Sequence, residues 1–455
     1  MPIETIDPAT GQRVRAFAPH TPADVEQRLA RAAAAARAWR DTPTAERARV
    51  VARAGALLDD DRERYARLMT LEMGKLIGAA RDEAAKCAAA CRYYAEHAHT
   101  ILAPKRVPVD GEQARVEFHP LGVVLAVMPW NFPFWQVIRF AAPALVAGNV
   151  ALLKHASNVP QCALALEALF ADAGAPPGVF QTLLIPSADV AGLLADPRVA
   201  AATLTGSEDA GSQVAMTAGR HLKKTVLELG GSDPFIVMPS ADLDRAVETA
   251  VRARTVNNGQ SCIAAKRFIV HEAVADAFTE RFVRAMAALI VGHPMDDRTQ
   301  VGPLASPRLA ADLEAQVRRS VELGARVLTG GRRIDGAGSY FQPTVLADVP
   351  PGSPAYADEL FGPVASLFRA RDLDDAIRIA NDTRFGLGAS AWTRDAAEAR
   401  RLARDLEAGS VFVNAMVASD PRFPFGGVKT SGYGRELSGF GLREFVNVKT
   451  VRVRL

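Results

Sequence analysis

Apolar and polar positions change their spacing twice along the chain. Residues 22–40 and 44–100 are rich in Ala, Arg and Glu and nearly free of Pro, which predicts helices. From Val123 onwards, short apolar runs alternate with segments of helical length. This alternation predicts a parallel sheet with crossover helices. We expect strands at 123–127, 150–153, 179–184, 200–204 and 225–227, and helices near 134–147, 160–172, 188–195 and 207–219.

The same alternation restarts after Gly231, with an apolar run at 235–238 and a helix from Asp242. It continues to about residue 414, which predicts a second α/β domain. The tail 444–455 alternates in the manner of a strand. A terminal strand needs a partner strand, and we expect a neighbouring subunit to supply it.

The chain has 455 residues, which is too long for one ordinary core and predicts two or three domains. A formal charge of +3, from 54 basic and 51 acidic residues, is too balanced to favour nucleic acid or a membrane surface. The most apolar stretch, 121–140, is interrupted by Pro129, Pro133, Asn131 and Arg139, so we expect no membrane span. The start of the chain lacks the pattern of a signal peptide.

Four cysteines are present, at 87, 91, 162 and 262. Cys87 and Cys91 lie four apart in an Ala-rich helical segment without a second pair at metal-ligand spacing, so we expect helix packing and no metal site. A reducing, cytoplasmic location fits this usage.

Cys262 stands apart, because it lies in the polar loop 257–263 between a helical and a strand-like segment. Glu228 precedes Gly230 and Gly231 in a second Gly-rich turn. A thiol and a carboxylate in such turns can serve as a covalent nucleophile and a general base. The alternative is a small core cysteine, the commoner role of a free thiol.

Nucleotide binding is expected in the first half, although the usual glycine fingerprint is missing there. A literal match at 386–391 leads into a strand-like segment, so we reject it. The better candidate is 205–211, where Gly206 and Ser207 follow an apolar run and open a helix that can hold a phosphate. An ordinary Ser-capped helix is the alternative.

Two further residues belong to the same region. Asn131 lies between two prolines, and its amide can stabilise an oxyanion, although a turn Asn is the commoner role. Lys154 ends an expected strand and points towards a ligand crevice, unless it is a solvated edge residue.

Taken in order along the chain, these motifs resemble the aldehyde dehydrogenase superfamily of NAD(P)-dependent enzymes. The resemblance runs from Asp7 to Glu436 and rests on Asn131, Lys154, Gly206-Ser207, Glu228–Gly231, Gly259–Cys262, Glu359–Pro363 and Pro424–Lys429. It implies an α/β, aldehyde dehydrogenase-like fold with a Rossmann-type cofactor domain (1–110 and 128–229). An α/β catalytic domain (230–420) and a small β oligomerisation arm (111–127 and 440–455) complete it, with a homodimer or homotetramer as the assembly.

The resemblance also implies roles for single residues. Cys262 matches the nucleophile, Glu228 the general base and Asn131 the oxyanion-binding side chain. The cofactor contacts it implies are Trp130, Lys154, Gly206, Ser207, Leu229, Glu359 and Phe361. The implied reaction oxidises a small-molecule aldehyde to an acid through a thioester on Cys262.

Within the superfamily, the chain looks most like bacterial succinate-semialdehyde dehydrogenases that accept NADP or NAD. Arg139 matches the arginine that binds the substrate carboxylate there, and Ser419 resembles a second carboxylate contact. Val256 replaces a second arginine of some members, and Ala264 replaces a second loop cysteine. Ser157 stands where NAD-preferring members often carry a glutamate that repels a 2′-phosphate, so NADP should be accepted.

Several alternatives remain open. The enzyme could be a general aldehyde dehydrogenase or act on another semialdehyde. A CoA-acylating methylmalonate-semialdehyde dehydrogenase is a third reading, although that branch commonly lacks the glutamate found at 228. A cysteine hydrolase, or a binding protein that kept the fold, is the alternative from another class; a hydrolase would need a histidine beside Cys262.

Overall fold

A computed structural model describes residues 3–454 of the chain. The strands are β1 (Ile3–Ile6), β2 (Arg13–Phe17), β3 (Lys105–Val107), β4 (Gln113–Pro120), β5 (Val123–Met128), β6 (Val150–His155), β7 (Phe180–Thr182), β8 (Val199–Thr205), β9 (Lys224–Glu228), β10 (Pro234–Val237), β11 (Arg267–His271), β12 (Arg326–Thr329), β13 (Thr344–Ala347), β14 (Val364–Ala370), β15 (Gly388–Trp392), β16 (Ser410–Val413), β17 (Gly432–Tyr433) and β18 (Val446–Val453). The helices are α1 (Pro22–Asp41), α2 (Thr44–Asp60), α3 (Arg62–Met73), α4 (Ile77–Ile101), α5 (Trp135–Val146), α6 (Pro160–Asp172), α7 (Val190–Ala195), α8 (Glu208–Arg220), α9 (Leu243–Thr255), α10 (Glu272–Ala287), α11 (Pro307–Glu322), α12 (Pro354–Ala357), α13 (Leu373–Asn381), α14 (Ala396–Asp405) and α15 (Ser438–Leu442).

Four helices precede the first large sheet. Thr21 and Asp24 form a capping box that begins α1. The helical stretch expected at 44–100 is divided into α2, α3 and α4. Gly74 ends α3 in the left-handed conformation, at a φ of 75°, which a glycine adopts without steric cost.

The six-stranded sheet has the order β17-β9-β8-β5-β6-β7. Its strands β5 to β9 are parallel, as the alternation predicts, because helices cover both faces and make every central strand apolar. All twelve residues of α5 are buried. This helix therefore forms a fixed support for the loop that joins it to β5.

The seven-stranded sheet has the order β12-β13-β14-β11-β10-β15-β16. Its strands are parallel except for β12, which pairs antiparallel with β13. The second α/β domain expected after Gly231 is this sheet and its helices. The strand β15 begins within the glycine-rich match at 386–391, where a nucleotide fingerprint would lead into a helix, and this agrees with our rejection of that match.

Two expectations about the arm need correction. The tail strand β18 pairs antiparallel with β4 of the same chain rather than depending on a neighbour for its only partner. The range 111–127 also extends too far, because β5 lies in the middle of the six-stranded sheet. The arm sheet is β18-β4-β3. Residue 455 of the expected tail lies outside the described residues.

No helix among residues 3–454 has both the length and the apolar character needed to cross a membrane.

Candidate active site

The carboxyl ends of four neighbouring strands form one wall of the site. Trp130 and Asn131 follow β5, Lys154 lies in β6, Ser207 follows β8, and Glu228 ends β9. The strands β6 and β7 follow β5 on one side of the sheet, whereas β8 and β9 lie on the other side of β5. The order of the strands therefore reverses between β5 and β8. Ligands of open α/β sheets bind at such a switch point.

The candidate phosphate turn lies at this position. The Ser207 hydroxyl accepts a hydrogen bond from the Ala210 amide at 3.3 Å and begins α8. A Cβ on Gly211 would lie 2.6 Å from Leu229, so the side chain of Leu229 packs directly on α8. A helix N-terminus next to a glycine-lined surface fits the phosphate and ribose of a dinucleotide.

Lys154 and Ser157 lie at the far side of the same edge. Lys154 is 6 % exposed, its ammonium donates to the Ser187 hydroxyl at 3.1 Å, and burial lowers its pKa. Ser157 is partly buried, and its backbone carbonyl accepts from the Glu4 amide at 3.2 Å. The chain therefore contributes an uncharged hydroxyl at position 157.

The second wall of the site is the amino edge of the seven-stranded sheet. Cys262 precedes β11, and Glu359 and Phe361 precede β14. The loop before Cys262 turns sharply, since Asn257, Asn258 and Gly259 all have positive φ. Asn tolerates this conformation better than most residues. The Asn258 amide also donates to the Gly74 carbonyl at 2.9 Å, which ties the loop to the end of α3.

Two buried cations stabilise the Cys262 loop through hydrogen bonds to its backbone carbonyls. The Lys266 ammonium donates to the carbonyls of Ser261 and Cys262, each at 2.7 Å, and pairs with Glu359 at 3.0 Å. Arg254 donates to the Gly259 carbonyl at 2.7 Å. Sequence reasoning missed both roles, because they depend on contacts made only in the folded chain.

Cys262 is the partly exposed cysteine, whereas Cys87, Cys91 and Cys162 are fully buried. The core reading of Cys87 and Cys91 is confirmed. Burial raises the pKa of the Cys262 thiol to about 12, and the Lys266 charge opposes this shift. Without ligands the thiol therefore keeps its proton at neutral pH, and a base must remove it before the sulfur can attack.

Asn131 joins the two walls. Its side-chain nitrogen donates to the Gln260 carbonyl at 3.1 Å, and its backbone carbonyl accepts from the Asn257 amide at 2.7 Å. An amide nitrogen carries two hydrogens, so one remains for another acceptor near the Cys262 loop. The Asn131 amide, which is predicted to bind an oxyanion, therefore contacts the loop two residues before Cys262, the predicted nucleophile.

Glu228 is 2 % exposed, and within the described part of the chain neither carboxylate oxygen accepts a hydrogen bond. It lies close against Gly426, where a Cβ would be 2.7 Å from Oε1. Burial raises its pKa well above the usual range, Glu436 adds to this shift, and Arg139 opposes it. Leaving a buried carboxylate without donors costs about 1–3 kcal/mol or more, which indicates a functional reason for it.

Arg139 does not have the open placement that a carboxylate-binding role implies. The guanidinium is 2 % exposed, pairs with Glu436, and donates weakly to the Thr205 hydroxyl at 3.4 Å. It also covers the Phe425 ring at 4.6 Å. Its charge is thus already matched by an internal carboxylate, and its contact with a substrate carboxylate stays a prediction.

Glu359 and Phe361 meet the first wall. Glu359 accepts from the Gly231 amide at 3.2 Å, and a Cβ on Gly230 would lie 2.7 Å from its second oxygen. The Phe361 ring contacts Trp130 edge to face at 5.7 Å. The structure therefore brings these predicted cofactor residues together across the two walls.

Ser419 lies in the loop after β16, and its hydroxyl accepts from Lys86 of α4 at 2.7 Å. Sequence reasoning missed Lys86; the available signal was a single lysine inside a run of small residues, 84–90. It also gave Glu436 no role. Within residues 3–454, no group of His, Cys, Asp or Glu side chains has the arrangement of a metal site.

Comparison with known proteins gives consistent matches. The family model described as "Aldehyde dehydrogenase family" matches residues 1–451. The chain is 56% identical over 454 residues to "Succinate-semialdehyde dehydrogenase [NADP(+)] 1" of Mycobacterium tuberculosis, with 99% of each chain covered. Among solved structures, Gox0499 matches with a TM-score of 0.98 and 44% identity, and all of both chains is covered. The succinic semialdehyde dehydrogenase of Streptococcus pyogenes in complex with NADP+ matches with a TM-score of 0.97, 37% identity and the same coverage.

Proposed function

The chain belongs to the aldehyde dehydrogenase family, and we propose that it oxidises succinate semialdehyde to succinate with NADP as the preferred cofactor. The observation that carries the catalytic part is the arrangement of three groups. A partly exposed thiol, Cys262, follows the loop that contacts the Asn131 amide, and the buried Glu228 carboxylate accepts no hydrogen bond from the described residues. The names of the similar proteins support the substrate and the cofactor.

The first half of the reaction uses Cys262 and Asn131. The sulfur loses its proton to water and bonds to the aldehyde carbon, and the aldehyde oxygen becomes an oxyanion. The free amide hydrogen of Asn131 stabilises that charge, with the Cys262 backbone amide as second donor. When bound, the oxidised nicotinamide supplies the hydride acceptor.

The second half uses Glu228. The acyl group on Cys262 must be transferred to water, and Glu228 takes the proton of that water as the new carbon–oxygen bond forms. The carbon–sulfur bond then breaks and the sulfur leaves as a thiolate, which is a better leaving group than an alkoxide. A carboxylate with a raised pKa is a stronger base than a solvated one, provided that the pH is high enough to deprotonate it.

The cofactor residues lie on both walls. We assign the binding of NADP or NAD to Trp130, Lys154, Ser157, Gly206, Ser207, Leu229, Glu359 and Phe361. Ser157 offers no negative charge to a 2′-phosphate, which favours acceptance of NADP. We place Ser419 on the substrate side. Arg139 acts with Glu436 beside Glu228 and sets the charge around that base.

We also propose a homodimer or homotetramer. The strand β18 forms one edge of the arm sheet, its side chains are largely exposed, and Val448 is 60 % exposed. An exposed edge strand is a surface for pairing with a second copy of the chain. Light scattering of the purified protein tests this assembly, and a monomer at micromolar concentration would contradict it.

The direct test of the reaction follows reduced cofactor in solution. Succinate semialdehyde and butanal are compared with NADP and with NAD, each with and without CoA. We expect the highest kcat/KM for succinate semialdehyde with NADP, and no need for CoA. Turnover that requires CoA would identify an acylating enzyme, and equal kcat/KM for the two aldehydes would identify a general aldehyde dehydrogenase.

A further inference from the structure

Lys86 is an interior cation beside the site, and among the described residues no carboxylate pairs with it. It lies in the middle of α4 and is partly buried. Its ammonium donates to the Ser419 hydroxyl at 2.7 Å and lies 4.3 Å from the centre of the Trp135 ring. Trp135 is the first residue of α5, four residues after Asn131. Lys86 therefore lies at the end of α5 that carries the oxyanion amide.

Of the three buried lysines among the described residues, Lys154 donates to the Ser187 hydroxyl on the cofactor side, and the other two are paired with carboxylates. Lys75 pairs with Glu83, and Lys266 pairs with Glu359. The acids closest to Lys86 are engaged elsewhere. Besides pairing with Lys75, Glu83 accepts from the Trp135 amide at 2.9 Å. Lys86 thus differs from the other two in having a hydroxyl, and not a carboxylate, as its hydrogen-bond acceptor.

The acid next to Ser419 is also occupied. Asp420 pairs with the exposed Arg422 at 2.6 Å. The charge on Lys86 is consequently matched by no internal partner among the described residues. A cation held out of bulk water in this way is stabilised by an anion that arrives from solution.

The position of Lys86 agrees with that of a substrate anion. Lys86 lies over the Trp135 ring, one turn of α5 before Arg139, and Asn131 of the preceding loop contacts the Cys262 loop. Arg139 is neutralised there by Glu436, whereas Lys86 is not. The side of the site where Ser419 and Trp135 meet therefore presents a positive charge that no carboxylate of the described residues pairs with.

We propose that Lys86, together with the Ser419 hydroxyl, binds the carboxylate of a semialdehyde substrate at the end opposite the aldehyde. The Trp135 ring forms the apolar floor under the lysine and the carbon chain. This inference rests on the proposed function, since it needs a substrate that carries a distal carboxylate. It adds a lysine to the substrate contacts that the sequence predicts for Arg139 and Ser419.

The test compares Lys86→Met with wild type on succinate semialdehyde and on butanal. Methionine keeps the length and the contact with Trp135 but removes the charge. We expect the ratio of kcat/KM for succinate semialdehyde over butanal to fall roughly 30- to 1000-fold, as for a lost charge-assisted contact. Most of the loss should be in KM for succinate semialdehyde. Lys86→Arg, which keeps the charge, should recover part of the ratio.

Two controls separate the possible failures. Lys105→Met removes an exposed lysine of β3 and should leave the ratio as in wild type. If wild type shows no preference for succinate semialdehyde, the proposed substrate is wrong. If wild type shows the preference and a folded Lys86→Met keeps it, the substrate stands and the Lys86 assignment is overturned. Loss of the preference in Arg139→Leu alone would return the contact to Arg139.

A binding measurement covers the case in which Lys86→Met folds poorly. Succinate should inhibit the wild-type enzyme competitively with the aldehyde, and butyrate should inhibit much more weakly. Lys86→Gln should lose this difference between the two acids. Equal inhibition by succinate and butyrate in wild type, despite a preference for succinate semialdehyde, would also overturn the assignment.

Discussion

The two large sheets contribute opposite ends of their strands to the site. The six-stranded sheet presents the carboxyl ends of its strands, so its site residues follow strands: Asn131 after β5, Ser207 after β8 and Glu228 at the end of β9. The seven-stranded sheet presents the amino ends, so Cys262 and Glu359 precede β11 and β14. A general rule places ligands at carboxyl ends, and it covers only the first sheet.

The second sheet therefore needs its own means of fixing the site. Lys266 and Arg254 supply it, because they donate from the interior to the carbonyls of the Cys262 loop. The first wall is shaped by strand ends and a helix N-terminus, and the second is held by buried cations. Cofactor binding thus depends mainly on the strand ends of the first wall, and the position of Cys262 depends on the buried cations of the second. A substitution in one wall should therefore disturb one of these functions and leave the other.

Cys262→Ala should separate catalysis from cofactor binding most clearly. Removal of the nucleophile should lower aldehyde oxidation by at least about 10⁴-fold, while NADP binding, measured by fluorescence titration, stays close to wild type. In wild type, iodoacetamide should modify Cys262 before the three buried cysteines, and faster as the pH rises, because the thiol pKa is about 12. Activity lost with label on another cysteine would contradict this assignment.

Lys266→Met tests the support of the second wall. It removes the buried cation that pairs with Glu359 and donates to two loop carbonyls, which should cost about 3–5 kcal/mol of unfolding free energy. A fall in kcat of roughly 10²-fold should accompany it, since the loop that carries the nucleophile loses its position. Urea unfolding and steady-state rates measure both effects, with the exposed Lys105→Met as control. Unchanged stability and rate would show that the Cys262 loop keeps its conformation without Lys266.

The pH dependence of substrate choice sharpens the comparison further. Burial and then the Arg139 charge lower the pKa of Lys86 to about 8. The free enzyme should therefore lose the charge on Lys86 above that pH, and kcat/KM for succinate semialdehyde relative to butanal should fall about tenfold per further pH unit. The other charged or titratable groups that face Lys86 are Glu83, Cys87, Lys75, Arg139 and Asp420. A ratio that stays constant between pH 7 and 10 would contradict the prediction.

Ser157→Glu should have the smallest effect and act on the first wall alone. A carboxylate there should repel a 2′-phosphate and weaken NADP binding by about 1–2 kcal/mol, roughly 5- to 30-fold, with NAD binding little changed. Dissociation constants for both cofactors measure this, and Ser157→Gln controls for size. An unchanged ratio of the two constants would place the adenosine ribose elsewhere.

The sequence predicted the central strands well, because strands covered on both faces are continuous apolar runs. It could not find β17, whose two residues carry no periodicity, or the pairing of β18 with β4, whose partner lies more than 300 residues away. The site motifs were found through their resemblance to a family. The placement of Arg139 against Glu436 and that of Lys86 against Ser419 and Trp135 depend on neighbours from other elements, which no local pattern encodes.

The most direct test of the catalytic assignment is intact-protein mass spectrometry of Glu228→Gln, quenched in acid shortly after mixing with NADP and succinate semialdehyde. Acylation needs Cys262, whereas release needs the base, so the variant should accumulate one acyl group per chain, mapped to Cys262. A burst of reduced cofactor equal to the enzyme concentration should precede turnover that is about 10²- to 10⁴-fold slower than wild type. Unmodified enzyme that turns over at the wild-type rate would contradict the account.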